Sequence, residues 1–311
     1  MKYLVTGGSG FIGSNIVAQL LRGNEQIRVL DNFSTGRRPN LNEFINNPNL
    51  EIIEGDLRSF HIVRQAAEGV DYVLHQGALP SVPRSINDPI TSNDVNILGT
   101  LNILEAAKEF GVKRVVFASS SSVYGNNPTL PKEESMPVLP LSPYAVTKYA
   151  SERYCQVFYQ IYGLETVALR YFNVFGPKQD PTSQYSAVIP KFIKLIMKDE
   201  EPVIYGDGMQ SRDFTFVQNN INANLLACTA PNAAGEVFNI ACGERYTLID
   251  LVNGINKILG KNIEPKFLEN RAGDVLHSLA DISKAKSVLN YKVEVDFYQG
   301  LEKTIDYFLR N

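Results

Sequence analysis

The sequence has 311 residues, 44% of them hydrophobic and 20% charged, with a formal net charge of −3. That balance excludes a chain disordered throughout, and with no basic tract it argues against a nucleic-acid partner, so a phosphate-bearing ligand has to be met by local arginines and backbone amides. No apolar run reaches bilayer length, which argues against a membrane protein, and the three cysteines, Cys155, Cys228 and Cys242, are too scattered for a disulfide framework or a metal site.

The chain opens with a β-rich run at 3–6 that enters a glycine loop, and 11–22 reads as a helix ended by Gly23. The opening run is too short for a signal-peptide core, and with unpaired cysteines the cytoplasm is the expected compartment. Further strands are expected at 27–31, 50–54, 72–75 and 112–119. They are rich in Val, Ile, Leu and Phe without strict alternation, as strands buried on both faces are. Helices at 59–68, 91–110 and 143–162 separate them, and a strand at 166–172 closes the series. Such alternation implies an α/β chain with a Rossmann-type, doubly wound parallel sheet. After about residue 175 the pattern loosens. The stretch 177–190 is polar and turn-rich, helical runs cover 191–198 and 218–229 with a strand at 202–208 between them, and a strand is expected at 236–240. A capped amphipathic helix at 247–259, an irregular stretch at 269–280 and helices at 281–289 and 298–309 complete the chain. The expected organisation is therefore a dinucleotide-binding domain over 1–175 and a smaller mixed α/β lobe over 176–311, partly interleaved with it, with the ligand cleft between them.

Three patterns carry chemistry. In Thr6-Gly7-Gly8-Ser9-Gly10-Phe11-Ile12-Gly13, glycines permit a tight turn and close backbone approach to a pyrophosphate, and the helix that follows offers free N–H groups. Asp31, ending the second strand, can accept hydrogen bonds from ribose hydroxyls and repels a 2′-phosphate, which favours NAD over NADP; Arg37 and Arg38 nearby keep NADP open. Asp56-Leu57 and Gln76-Gly77-Ala78 follow the third and fourth strands at the same sheet edge, where such folds bind ligands, although Asp56 could instead cap a helix. The second pattern is Tyr144-Ala145-Val146-Thr147-Lys148. Residues four apart share a helix face, so an ammonium, joined by a cationic nicotinamide, is expected to lower the phenol's pKa and make it a usable base. The third is Ser119-Ser120-Ser121-Ser122-Val123-Tyr124-Gly125 at the end of the fifth strand, where a hydroxyl can bridge substrate and tyrosine.

Together with Ser142-Pro143-Tyr144, Arg170-Tyr171-Phe172-Asn173-Val174-Phe175-Gly176, Ser211-Arg212-Asp213-Phe214 and Arg271-Ala272-Gly273-Asp274, these residues resemble the nucleotide-sugar branch of the extended short-chain dehydrogenase/reductase family over nearly the whole chain. Within it the chain is most similar to the UDP-glucose / UDP-N-acetylglucosamine 4-epimerase group. The tracts His75-Gln76-Gly77-Ala78-Leu79-Pro80-Ser81-Val82-Pro83-Arg84-Ser85 and His277-Ser278-Leu279-Ala280-Asp281-Ile282-Ser283-Lys284-Ala285 resemble its N-acetylhexosamine-accepting members, with Pro80 in place of a small glycine.

The resemblance implies that Tyr144 is the acid/base, that Lys148 orients the nicotinamide ribose and that Ser120 is the catalytic hydroxyl. It places NAD against Gly7, Gly10, Phe11, Ile12, Asp31, Asn32, Ser34, Gly36, Asp56, Leu57, Gln76, Gly77, Ala78, Asn96, Ser119, Tyr171 and Val174. It places a UDP-sugar against Ser81, Ser122, Asn173, Gln179, Ala187, Val188 and Tyr205, with Arg212 and Arg271 clamping the diphosphate, Asp274 on the uridine ribose and Ser278 at the sugar. Two arginines suit a diphosphate by planar, charge-assisted contacts; the alternative is local ion pairs with Asp213 and Asp274. Ser121 and Ser122 stand where the dehydratases carry an Asp-Glu pair, which argues against dehydration. Ser278 replaces the large tyrosine of plain-hexose members and leaves space for an N-acetyl group. The expected activity is 4-epimerisation through a 4-keto sugar, with a homodimer built on the helices near 92–110 and 143–162 and anchored by Tyr149, Tyr154 and Phe158. A UDP-glucuronate 4-epimerase or decarboxylase, with Arg84 meeting the carboxylate, and a non-catalytic NAD(H)-sensing protein remain as alternatives.

Overall fold

The computed structural model describes residues 1–181, 188–269 and 276–310. Its centre is a seven-stranded sheet. Strands β1 (Lys2–Thr6), β2 (Gln26–Asp31), β3 (Leu50–Glu54), β4 (Tyr72–His75), β5 (Arg114–Ser120) and β6 (Thr166–Tyr171) follow the expected series within two residues at each end. The short strands β7 (Val174–Phe175), β8 (Val203–Tyr205), β9 (Ser211–Arg212) and β10 (Thr215–Phe216) lie outside this sheet, but β11 (Val237–Ile240) returns to it. The sheet order is β11-β6-β5-β4-β1-β2-β3, every neighbouring pair parallel. The alternating side chains of each strand feed two cores. Val5, Val29 and Leu169 pack with Ile16, Val17 and Phe238 on one face, while Leu4, Leu30 and Val115 pack with Val63, Ile103 and Phe158 on the other. Each such side chain removed from water contributes roughly 1.5–3 kcal/mol, and burial on both faces explains the unalternating strands.

Helices α1 (Phe11–Arg22), α2 (Phe60–Ala67), α3 (Val82–Asn87), α4 (Pro89–Asn93), α5 (Gly99–Glu109) and α6 (Pro143–Tyr162) belong to the first part of the chain. The single helix expected over 91–110 is broken: a π-helical turn, Asp94–Leu98, joins α4 to α5. Within it stands Asn96, whose side chain accepts from the Leu79 N–H at 2.7 Å and donates to the Leu79 carbonyl and to Thr147 Oγ1. Such turns occur often at functional sites because they re-aim one side chain; this one pins the loop after β4 against α6.

Helices α7 (Val188–Met197), α8 (Val217–Thr229), α9 (Leu248–Leu259), α10 (Ser283–Leu289) and α11 (Phe297–Arg310), with β12 (Tyr246–Thr247) and β13 (Lys266–Leu268), make the rest. Thr247 caps α9 in a reciprocal capping box with Asp250. Phe175, Phe214, Phe216, Tyr246 and Phe297 interlock with centroid separations of 4.2–6.4 Å and join this part to the segment that follows β6. Among the described residues no helix is long and apolar enough to cross a membrane, and no His/Cys/Asp/Glu cluster could hold a metal ion.

Candidate active site

The strand order reverses between β1 and β4, and a cleft of about 600 Å³ opens at the carboxyl ends of the strands there, the ligand position expected of this architecture. Gly7, Gly10, Phe11, Ile12, Asp31, Asn32, Ser34, Gly36, Asp56, Leu57, Gln76, Gly77, Ala78, Ser81, Ser119, Tyr144, Lys148 and Tyr171 all line it. Gly7 turns at φ +63°, and a Cβ there would meet the Gly77 backbone at 2.8 Å. A Cβ on Gly13 would stand 2.1 Å from the Gly7 carbonyl oxygen. The two glycines therefore let β1, the loop and α1 touch backbone to backbone. The N-cap of α1 is Gly10, which has no side chain to offer the first-turn amides, and this suits an anion at that end.

Asp31 accepts from the Ser9 N–H at 2.9 Å and the Phe33 N–H at 2.8 Å, so its carboxylate is fixed at the end of β2. Arg37 is paired with Asp180 at 3.6 Å, and Arg38 with Glu54 at 2.6 Å while lying over the Phe33 ring. Carboxylates thus already engage both arginines that left NADP open. Asp56 does not cap α2, whose N-cap is Ser59; it accepts from Arg58 and Asn32, and Arg58 holds its carboxyl well below the usual range. A strap absent from the sequence reading crosses the cleft's outer edge: Asn15 donates to the Pro177 carbonyl, Lys178 donates to the Asn40 carbonyl at 2.7 Å, and Asp180 meets Arg37.

Tyr144 stands in the first turn of α6. Ser142 caps that helix by accepting from the Ala145 N–H, Pro143 occupies the first turn, and the Tyr144 N–H donates to Ser85 Oγ on α3 at 3.0 Å. Lys148 donates to the Ala118 carbonyl at 2.7 Å, its nitrogen 5.9 Å from the Tyr144 ring centre. Ser120 is hydrogen-bonded to the Tyr144 phenol. Burial pushes the Tyr144 phenol up and the Ser120 hydrogen bond opposes burial only in part, so the lowering expected of it depends on the charge that a nicotinamide would add. Burial also pulls Lys148 down to about 8, against the field of Glu152. The protein's own groups therefore leave the phenolate unfavoured.

Two residues assigned to the cofactor sit elsewhere. Asn96 is 2% exposed and fixes the Leu79 loop instead of lining the cleft. Val174 lines a neighbouring pocket of about 350 Å³, together with Asn173, Val188, Tyr205 and Arg212. Ser119 reaches the cleft, but its hydroxyl donates to Glu152. The Ser122 hydroxyl is buried without a hydrogen-bond partner among the described residues, while Gln179 donates to the Val174 carbonyl. Asn173 donates to the Asp213 carbonyl at 3.3 Å and lies 3.5 Å from Ser278 Oγ. Arg212 does not pair with Asp213. It donates to the Ser211 and Leu276 carbonyls, whereas Asp213 turns inward to accept from the Cys242, Gly243 and Ala280 N–H groups, with burial pushing it up to about 7. Ala187, Arg271 and Asp274 lie outside the described residues.

Sequence reasoning missed Asn224. The Tyr171 hydroxyl donates to Gln76 Oε1 and accepts from Asn224 Nδ2 at 2.6 Å, and Gln76 donates back to Asn224 Oδ1 at 3.0 Å, closing a ring that fixes Tyr171 at the cleft. The signal was the run of asparagines along α8, since a buried amide needs partners.

Residues 3–241 match the NAD dependent epimerase/dehydratase family. The UDP-glucose 4-epimerase of Mycolicibacterium smegmatis is 36% identical over 310 residues, covering 99% of this chain and 98% of that protein. Two solved structures are also similar. One is a UDP-N-acetylglucosamine 4-epimerase from Methanobrevibacter ruminantium in complex with UDP-N-acetylmuramic acid, 44% identical with a TM-score of 0.95, covering 99% of this chain and 98% of that one. The other is the UDP-glucuronic acid 4-epimerase of Bacillus cereus in complex with UDP-glucuronic acid and NAD, 33% identical with a TM-score of 0.92, covering 100% and 99%.

Proposed function

Since the chain belongs to the NAD-dependent epimerase/dehydratase family, we propose that it is a UDP-hexose 4-epimerase whose sugar pocket admits an N-acetyl group, interconverting UDP-N-acetylglucosamine and UDP-N-acetylgalactosamine and accepting the plain hexoses as well. The observation that carries this reading is the placement of the Tyr144 phenol, hydrogen-bonded to Ser120 and backed by Lys148, on the wall of the cleft that also holds the glycine loop.

That cleft fits NAD by its donor set: a side-chain-free helix N-terminus for the pyrophosphate, the Asp31 carboxylate for ribose hydroxyls, and Lys148 for the nicotinamide ribose. When bound, NAD supplies a reversible hydride acceptor and a positive charge beside the phenol. Tyr144 takes the proton from the sugar O4 and later returns it, while Ser120 bridges the phenol and that oxygen. Such a charge would oppose the burial that pushes the Tyr144 phenol up. Arg212 and Arg271 hold the diphosphate while the 4-keto sugar turns to present its other face. The protein's share is orientation and a tuned base.

Ser278 sets the substrate in this reading. Its side chain, 3.5 Å from Asn173 Nδ2, is small where a tyrosine would crowd an N-acetyl group, and the Methanobrevibacter relative is a UDP-N-acetylglucosamine 4-epimerase. Proton NMR with UDP-N-acetylglucosamine, UDP-glucose and UDP-glucuronate offered separately tests it. The two neutral sugars are expected to give their galacto epimers, and turnover of UDP-glucuronate alone would move the assignment to the uronate. Ser278→Tyr is expected to cut turnover of the N-acetylated sugar by about a hundredfold while sparing UDP-glucose; equal loss on both would remove the residue from the specificity argument.

We also propose a homodimer built on α4, α5 and α6. Of the three anchors expected on α6, Phe158 is core and Tyr149 packs against core, which leaves Tyr154. The face is supplied instead by Ile90, Leu98, Val146 and Ile161, which are 42–74% exposed. Light scattering is expected to give about twice 34.6 kDa, and a mass of one chain would refute the pairing.

A further inference from the structure

The segment that follows β7 leaves the sugar side of the molecule and fastens onto the cofactor side. It starts from Asn173 and Val174, which line the neighbouring pocket with Arg212, and it reaches Asp180, which lines the large cleft with Asp31 and Gly36. The protein's own groups tie it down on both flanks of the glycine loop. On one flank Asn15, in α1, donates to the Pro177 carbonyl at 3.0 Å. On the other, Lys178 Nζ donates to the Asn40 carbonyl at 2.7 Å, and Asp180 meets Arg37 at 3.6 Å. These last anchors are themselves bound to the loop, since Asn40 Nδ2 and the Arg37 N–H both donate to the Ser9 carbonyl, at 2.9 and 3.0 Å. The strap therefore bridges the loop that faces the pyrophosphate, from α1 on one side to residues 37–40 on the other.

We propose that residues 177–180 are a latch on the NAD cleft, closed in this structure, which has to lift before NAD enters or leaves. Two features fit a segment held shut by its ties and not by its own conformational preference. Lys178 sits at φ +68°, in the left-handed region that residues other than glycine rarely adopt. The Gln179 side-chain oxygen is buried with no hydrogen-bond partner among the described residues, a cost that staying closed carries. The ties set against these costs are few: one charge-assisted hydrogen bond, one hydrogen bond from an amide and one largely exposed ion pair. Such a balance suits a short segment that opens while the rest of the fold stays in place. The chemistry gives a latch its use. The hydride taken from the sugar is returned to it, so turnover needs no exchange of cofactor, whereas reduced cofactor lost midway would leave the 4-keto sugar with no route back. The proposal rests on the reading of this cleft as the NAD site and does not depend on which sugar reacts.

The experiment loads the protein with tritiated NAD and follows its release into excess unlabelled NAD by rapid filtration; capture of tritiated NAD by NAD-free protein is followed in the same way. Lys178→Met removes the donor to the Asn40 carbonyl and alters no residue assigned to NAD or to the sugar. Release is expected to quicken about tenfold, the effect of losing one charge-assisted hydrogen bond. Capture is expected to quicken with it, so that affinity shifts far less than release, while turnover at saturating NAD stays at the wild-type value. Asp180→Asn unfastens the far end and leaves Lys178 in place; an exposed pair is worth less, and release about threefold faster is expected. Faster release with unchanged capture would make the strap a plain part of the binding surface and overturn the latch. Wild-type release in the variant carrying both substitutions would overturn it as well. No sugar enters either rate measurement, so failure of the epimerase reading and failure of the latch show separately.

Discussion

Tyr144→Phe is expected to lower turnover of the UDP-sugar by at least about a thousandfold while NAD stays bound and the fold is unchanged. The loss is large because in the proposed reaction the phenol oxygen carries the proton in both directions, and a positioned acid/base is worth about 10²–10⁴-fold. The ring itself can stay where it is. Its place is set from the backbone, by the Ser142 cap and by the Tyr144 N–H on Ser85, and these contacts do not involve the hydroxyl. Ser120 loses its partner, yet its oxygen still accepts from the Ser122 N–H at 3.2 Å. The check is a coupled assay of epimer formation alongside cofactor content after gel filtration. Turnover near the wild-type rate would remove Tyr144 from the chemistry; loss of NAD together with activity would show that the phenol has a binding role instead.

Gly13→Ala is expected to act on cofactor content before chemistry. The added carbon would stand 2.1 Å from the Gly7 carbonyl oxygen and 2.9 Å from Gly8 Cα, both backbone atoms with no side-chain end to swing aside. Either α1 moves away from β1 or the loop opens, and either change misaligns the amides that face the pyrophosphate. Overpacking of this kind costs about 1–3 kcal/mol, and purified protein is expected to carry little NAD. Nucleotide released on denaturation, measured against protein, reads the result directly. Full occupancy with an unchanged melting temperature would mean that the loop tolerates the carbon and that its glycine spacing is incidental.

Most of the first six strands and the helices between them were legible in the sequence because their signals are local. A β-rich run, a glycine loop and an amphipathic helix sit side by side, so β1 to α1 could be placed almost to the residue. Tyr144 and Lys148 were legible for the same reason, one helix turn having fixed their relation. What stayed hidden depends on contacts across the chain. The break in the helix at Asn96 comes with contacts to the backbone of Leu79 and to Thr147. Asn224 gains its meaning only once α8 lies against Gln76 and Tyr171. Lys178 and Asp180 looked like turn residues until the fold carried them over Asn40 and Arg37. The burial that raises the Tyr144 phenol was not legible, because charge can be counted in a sequence, whereas burial cannot.

The return of Val237–Ile240 to the edge of the sheet binds the order of synthesis to the order of assembly. Val237, Phe238, Asn239 and Ile240 pair with Ala168 through Tyr171, so the strand that carries Arg170 stays an open edge until some seventy later residues have been made, and an unpaired edge invites pairing with another chain. Asn239 also accepts from the Tyr124 hydroxyl. A chimera joined at residue 175 would therefore bring in a foreign edge strand beside Arg170 and a foreign partner for Tyr124.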